Sequence, residues 1–380
     1  MMNQLSDEQK LLQVIHNCHA HIFTIDHIPR YFINPFIPVT LVKNKPLAEF
    51  VYRVFRNYLG RYSAFFYSAL KKTQEEILNE LMGYYPTGSR LVALSIDFEY
   101  MGAGQPIKSF IEQLDELAEL KAREEYKDTL LPFIGVDPRR GEKQVFDLVK
   151  KYIEEKNFTG IKLYPSIGYF PNDERLFPVY EYAEKNGIPL TTHCIPKNKN
   201  HFRNKITPEM YEKAKQVPGF DPDQAKSNYD FAQYLGHPYW WEETLKKFPK
   251  LKINLGHFGG NEEWNKYLDT PSDRKNPANL SWYKMIRNLM RNKDYPNVHA
   301  DISFTVHDKG LYPILKNLLQ SSDSKNYVLF GSDFYMMQKD YRERRFSMDV
   351  RGYLDDNDYW QLVDTNARRF LTSKFHDFHR

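Results

Sequence analysis

Eight short apolar runs, separated by segments with helical periodicity, limit what this chain can fold into. They are Gln13–His19, Arg90–Phe98, Leu130–Val136, Phe158–Tyr164, Ile188–His193, Leu251–His257, Asn297–Ser303 and Tyr327–Asp333. Most are rich in Val, Ile, Leu and aromatic residues, as parallel strands buried on both faces are. Between them, Ser109–Arg123 sets Phe110, Ile111, Leu114, Leu117, Ala118 and Leu120 at helical spacing. Gln144–Lys156 repeats the pattern with Val145, Phe146, Leu148, Val149, Tyr152 and Ile153. Leu176–Lys185 is followed by Asn186-Gly187, a helix with a glycine stop. Strand alternating with helix predicts an α/β fold, specifically a (β/α)8 TIM barrel.

Two stretches are too long for plain connections. Insertions at about 32–89, after strand one, and about 196–250, after strand five, belong on the C-terminal mouth, where they can form a lid or pocket. Leu47–Lys72 within the first looks helical, and Gly259–Asn279 is a smaller third insertion. With no internal repeat and no interdomain linker, residues 1–380 read as a single barrel domain.

Composition narrows the function. The 380 residues are 41% hydrophobic, enough for a sizeable core. A formal net charge of +4 is small for this length, and no basic stretch alternates with aromatics, so nucleic acid is not an expected partner. No apolar run approaches the roughly 20 residues of a spanning helix. The first residues, MMNQLSDEQK, lack the basic start and apolar core of a secretory signal, and Cys18 and Cys194 make no disulfide framework. The expectation is a cytoplasmic protein without a membrane partner, acting on a small molecule, with a homo-oligomer as its candidate assembly.

Metal-ligand side chains arrive in order at the strand ends: His19 and His21 as His-Ala-His, then His193, His257 and Asp333. Imidazole and carboxylate bind zinc and similar cations while leaving a position open for water. Alternation along a strand points His19 and His21 one way with Asn17, and His16 and Cys18 toward the helices. Singly, each residue has an ordinary structural role: a core histidine, or an aspartate capping the next helix. Their joint register with strand ends argues for a shared cation. Lys162 has the opposite parity to Ile161 and Leu163, which turns it toward the barrel interior. An ammonium there needs a carboxylate such as Asp97 or Glu99, or carbamylation into an anionic bridge between two ions.

The ordered set His-x-His, Lys162, His193, His257 and Asp333 resembles the amidohydrolase superfamily of metal-dependent barrels. His257-Phe-Gly-Gly260, Asn297-Val-His-Ala-Asp-Ile-Ser303, Phe330-Gly-Ser-Asp333 and Asn366-Ala-Arg-Arg-Phe-Leu371 resemble recurring segments of its amidohydrolase-related (amidohydrolase 2) branch. The resemblance implies that His19, His21 and Asp333 hold a first metal. In two-metal relatives a carbamylated equivalent of Lys162 bridges, with His193 and His257 on the second ion. In one-metal relatives His193 joins the first ion and His257 is a catalytic acid/base. Asn17 departs from the acid many relatives carry before His-x-His. The cofactor implied is a divalent metal, zinc first, one or two ions per chain.

The function expected from this pattern is hydrolysis of an ester, lactone or amide by a metal-activated water, with Asp333 and His257 catalytic. The alternative is non-oxidative decarboxylation of an aromatic or unsaturated carboxylic acid. Tyr164, Asp301 and Ser303 are candidate substrate contacts near the mouth. Arginines of Asp137-Pro-Arg-Arg140 and Lys339–Arg345 could clamp an anionic substrate, or form solvated loops. Trp240, Trp241 and Tyr169 could wall a pocket or pack the insertions. His201 and His237 are expected at the surface or on a lid.

Overall fold

Parallel strands pair in sequence order, β1 (His16–Ala20), β2 (Arg90–Leu94), β3 (Leu130–Val136), β4 (Gly160–Leu163), β5 (Leu190–His193), β6 (Ile253–Gly256), β7 (Val298–Asp301) and β8 (Val328–Leu329). The computed structural model describes residues 13–32, 68, 70–198, 200–269, 280–337 and 341–379. Backbone bonds from Cys18 N to Phe330 O and from Asp333 N to His19 O, each 2.8 Å, join the last strand to the first. The eight-stranded sheet thereby closes into the expected TIM barrel.

Three helices fall where the apolar periodicity placed them, over 110–122, 142–150 and 177–186. Among the described residues the helices are α1 (Gln74–Met82), α2 (Phe110–Ala122), α3 (Glu142–Lys150), α4 (Phe177–Asn186), α5 (Pro208–Ala214), α6 (Asn228–Leu235), α7 (Pro238–Lys247), α8 (Asn261–Asp269), α9 (Trp282–Arg291), α10 (Tyr312–Gln320), α11 (Glu343–Tyr353), α12 (Asp356–Trp360) and α13 (Asn366–Leu371). Ser109 opens α2 with a capping box to Glu112, and α4 stops at Gly187, whose φ of 66° suits a residue without Cβ. None of these helices is long and apolar enough to cross a membrane.

Two apolar layers form. Leu91, Ile134, Ile161, Leu163, Leu190, Ile253, Leu255, Val298 and Val328 turn outward under the helices. Cys18, Val92, Leu94, Leu131, Phe133 and Leu329 turn inward and fill the lower barrel, stoppered by Phe370, Leu371 and Phe378. Each such buried ring or aliphatic chain contributes roughly 1.5–3 kcal/mol. The Asn366 side chain donates to the carbonyls of Val328 and Lys325 at 2.7 and 2.8 Å, which seats α13 against the end of β8. The upper interior is polar, and that is where the site lies.

The simple alternation expected along β1 does not hold. Cys18 joins the inner apolar cluster, while the Asn17 amide donates outward to Ser332 Oγ (2.7 Å) and Tyr85 Oη (3.1 Å). The register with β2 shifts between Asn17 and Ala20, and this irregularity lets His19 face inward as well.

Within the second insertion, α5, α6 and the start of α7 build a satellite cluster around Phe202, Phe231 and Trp240. Trp240 and Trp241 are both fully buried, so they pack the insertion rather than wall a pocket. Most of the Leu47–Lys72 helix, and Lys339, lie outside the described residues.

Candidate metal centre

Strand ends bring His19, His21 and Asp333 together. Their ligand atoms lie within 4.8 Å of one another, and all three residues are buried. His21 Nε2 is 3.4 Å, and His19 Nε2 3.8 Å, from Asp333 Oδ1. Asp333 reaches this place with a φ of 56°, a left-handed backbone that few non-glycine residues adopt.

Hydrogen-bond partners fix which nitrogen each imidazole offers. His21 Nδ1 donates to the Leu94 carbonyl at 2.9 Å, which leaves Nε2 bare toward Asp333. His19 Nδ1 donates to Asp301 Oδ2 at 2.8 Å, and its buried Nε2 has no hydrogen-bond partner. His193 Nδ1 meets His257 Nε2 at 2.9 Å. His257 Nδ1 faces the Ser303 carbonyl at 3.2 Å and must donate to it. Its Nε2 is therefore the acceptor from His193, whose own buried Nε2 is left without a partner. Three imidazoles thus present unprotonated Nε2 lone pairs, beside a carboxylate. Such a donor set suits a divalent cation, with each ring oriented by a partner on its other nitrogen. His193 stands outside the 4.8 Å trio and is joined to it through His257, whose ring centroid is 4.6 Å from that of His19.

Asp301 sits beneath these rings and is fully buried. Its Oδ2 accepts from His19 Nδ1 and from the Asn254 amide (2.7 Å). Its Oδ1 accepts from the backbone N–H of His257 (3.1 Å) and of Ser303 (3.0 Å), and from the Ser303 hydroxyl. Ser303 Oγ, its proton spent on Asp301, accepts from His257 Nδ1 at 2.9 Å. Asp301 and Ser303 therefore lie below the cavity and outside its lining.

Burial dominates the electrostatics. It holds His19, His21 and His193 below the usual imidazole range, and His257 down at about 3, so neutral rings face the site. Burial would raise Asp301, but its interaction and hydrogen bond with His19, with further help from His257 and Ser303, hold it below the ordinary carboxylate range. Lys162 does turn inward and is fully buried, with no hydrogen bond to its Nζ. Burial lowers it to about 8 against the pull of Asp301 and Asp333. Asp97 and Glu99 do not serve it, because both pair with Arg140 at 2.6 and 2.5 Å. Arg139 is likewise held by Asp137 and by the carbonyls of Tyr100 and Ile167, so both arginines brace loops.

Above the imidazoles opens a cavity of about 410 Å³, lined in part by His21, His193, His257 and Asp333. Its walls are aromatic: Phe23, Phe32, Phe98, Tyr164, Tyr229 and Phe304. Tyr164 packs edge-on against His193, with ring centroids 4.4 Å apart, and its hydroxyl accepts from the Asn198 amide at 2.8 Å. Tyr169 lies deeper, bonded to Val136 O and Tyr164 N. His237 is buried against Trp282, contrary to the surface or lid position expected for it. His201 meets Tyr229 edge-on, with ring centroids 5.6 Å apart.

The sequence reading missed Asn254, the Leu94 carbonyl, and the rim residues Lys197 and His307. Asn254 carried a signal, since it is a polar residue of inward parity inside an apolar run. The others carried none.

Inward strand-end imidazoles, a carboxylate and a mouth cavity define a barrel of the metal-dependent enzyme class. The amidohydrolase family model matches residues 108–372, more than half of the chain, and the protein belongs to that family. No curated protein matches the sequence. Among solved structures, an uncharacterized TIM-barrel protein from Bordetella bronchiseptica aligns over 94% of this chain and 98% of its own, with a TM-score of 0.56 and 15% identity. The 2,6-dihydroxybenzoate decarboxylase from Rhizobium covers 94% and 98%, with a TM-score of 0.53 and 16% identity. A 5-carboxyvanillate decarboxylase from Novosphingobium aromaticivorans, solved with bound manganese, covers 94% and 97%, with a TM-score of 0.53 and 14% identity. At these identities the likeness establishes the shared barrel.

Proposed function

We propose that the protein is a metal-dependent, non-oxidative decarboxylase of an aromatic or unsaturated carboxylic acid. One observation carries the reading: the trio His19, His21 and Asp333 converges beside a cavity walled by aromatic rings, which His21 and Asp333 line, while the second converging set, His19, His257 and Asp301, is bound up in its own hydrogen bonds. The decarboxylases among the similar structures support it. Hydrolysis, the first expectation from sequence, takes second place.

His19, His21 and Asp333 would hold one divalent ion, with His193 Nε2 as the further ligand available beside them. The manganese of one similar structure makes that ion as good a candidate as zinc. The bound ion would anchor the substrate's acidic group and offset its charge. The aromatic walls hold the unsaturated carbon skeleton flat and exclude water from the reacting carbon. When the bond to the departing carboxyl group breaks, its electron pair stays on that carbon, and a proton must replace CO2 there. Asp333 lines the cavity and is the group placed to relay that proton, which it would take from a water or an acidic hydroxyl of the substrate. His257 keeps its Nδ1 proton on Ser303, and its Nε2 would meet a substrate only in exchange for the bond it accepts from His193.

The second reading draws on Lys162. A buried amine with no hydrogen bond, lowered to about 8, is poised to react with CO2. The carbamate would supply the bridging anion of a two-metal hydrolytic centre with His193 and His257. Manganese- or zinc-loaded protein should release CO2 from a panel of hydroxylated benzoates and unsaturated acids. Ester, lactone or amide cleavage without CO2 release, together with two metals per chain, would overturn the decarboxylase reading.

A further inference from the structure

Six non-glycine residues adopt a left-handed φ among the described residues, and four of them line the one cavity: Lys197 (53°), His257 (66°), Phe304 (58°) and Asp333 (56°). Strained backbone persists where the surroundings over-determine it, and it gathers at functional sites. His257 and Asp333 already have roles. Lys197 and Phe304 share their conformation and their cavity without one.

Lys197 lies four residues beyond His193, on the loop that leaves β5. Both flanks of that loop are tied. Gly259 N donates to Cys194 O at 3.1 Å, and a Cβ at Gly260 would collide with Ile195. On the other side, the buried Asn198 amide donates to Tyr164 Oη, and its Oδ1 accepts from Asn200 N at 2.9 Å. A held loop therefore presents Lys197, solvent-exposed, at the rim of the cavity, in a left-handed conformation uncommon for lysine. Lys197 is also the sole ammonium or guanidinium among the described residues that line the cavity, and its charge acts on the largely buried Glu263 without a close ion pair to it among the described residues. Glu262 stands on the same rim and repels any anion that approaches its side. The floor takes one acidic group at the metal trio. Among the described residues, the favourable place for a second anionic group on the same flat skeleton is opposite Lys197.

We infer that Lys197 is a specificity-determining residue that selects substrates carrying a second anionic group, with Phe304 as part of the wall against which the skeleton lies. This rests on the reading that the cavity takes a carboxylic acid, and narrows it to diacids or their equivalents.

The test is binding to manganese-loaded protein, followed by calorimetry, with benzoate and isophthalate as probes. Isophthalate should bind at least about tenfold more tightly than benzoate, the ratio one well-placed charge contact supplies. Lys197→Met should abolish the preference while leaving benzoate affinity unchanged, and Lys197→Arg should restore it. Equal binding of the two probes to the native protein, no binding of either, or a preference that survives Lys197→Met overturns the inference. CO2 release is scored separately. Discrimination without turnover on any acid would sink decarboxylation alone, and turnover with an undiminished diacid preference in Lys197→Met would sink the role of Lys197 alone.

Discussion

Asp301 Oδ2 lies 2.8 Å from Nδ1 of His19 and, with its other oxygen, fixes the Ser303 hydroxyl that receives the His257 Nδ1 proton. One buried carboxylate thus sets the tautomers of an imidazole in the metal trio and of the imidazole beside it. Asp301→Asn keeps the volume but turns an N–H toward one of these donors. Metal affinity should fall by about 10- to 100-fold, as for other partners of ligating histidines. Titration of apoprotein with manganese checks this, and an unchanged affinity would show that His19 needs no such orientation.

His193 and His257 should separate in their effects. His193→Ala removes a bare Nε2 beside the trio, so metal content and turnover should drop together. His257→Gln, outside the His19, His21 and Asp333 set, should retain metal while turnover falls by about 100-fold or more. Metal per chain and initial rates on both variants decide it. Full metal loading in His193→Ala would remove that residue from the ligand set.

Glycines beside His19 leave no room for a methyl group. A Cβ at Gly331 would stand 2.7 Å from His19 Cβ, and one at Gly256 would stand 2.6 Å from Thr192 O and 3.0 Å from His19 Cε1. Gly331→Ala should destabilise the fold by roughly 1–3 kcal/mol and weaken metal binding by displacing His19. Chemical denaturation and metal titration measure the two effects. A variant with native stability and affinity would show that the ring has slack.

Glu343 gives a pH dependence with a definite sign. Burial raises its carboxyl from 4.5 to about 7, against hydrogen bonds from Tyr85 and Ser332. The folded state then holds a proton that the unfolded state has lost between these two values. Stability contributed by this group falls as pH rises from about 4.5 to about 7, by up to about 3 kcal/mol, and is level above that. Glu343→Gln removes the penalty, so its advantage over the native protein should be absent near pH 4 and full near pH 8 by urea unfolding. An advantage of the same size at both would sink the assignment.

Much of the barrel was legible because periodicity and side-chain chemistry act locally. The eight runs became β1 to β8; His21, His193, His257 and Asp333 line the mouth cavity, and His19 lies against them. Asn17 and Cys18 were misplaced because a register shift in β1 breaks alternation, and no residue type announces it. Asp97 and Arg140 could not be paired from sequence, since 43 positions separate them and the contact depends on how β2 and β3 sit side by side. The cavity walls were unreadable for a similar reason. Phe23, Phe98 and Phe304 follow three different strands, and an aromatic residue after a strand packs a core as readily as it lines a pocket.

Because Phe370, Leu371 and Phe378 pack the lower barrel against Cys18, Phe133 and Leu329, the described residues leave the centre open at the mouth alone. Whatever reaches the imidazoles arrives and departs through the same aromatic throat. Reactant and spent product must therefore take turns, so turnover should slow as product accumulates even while the chemistry itself is fast.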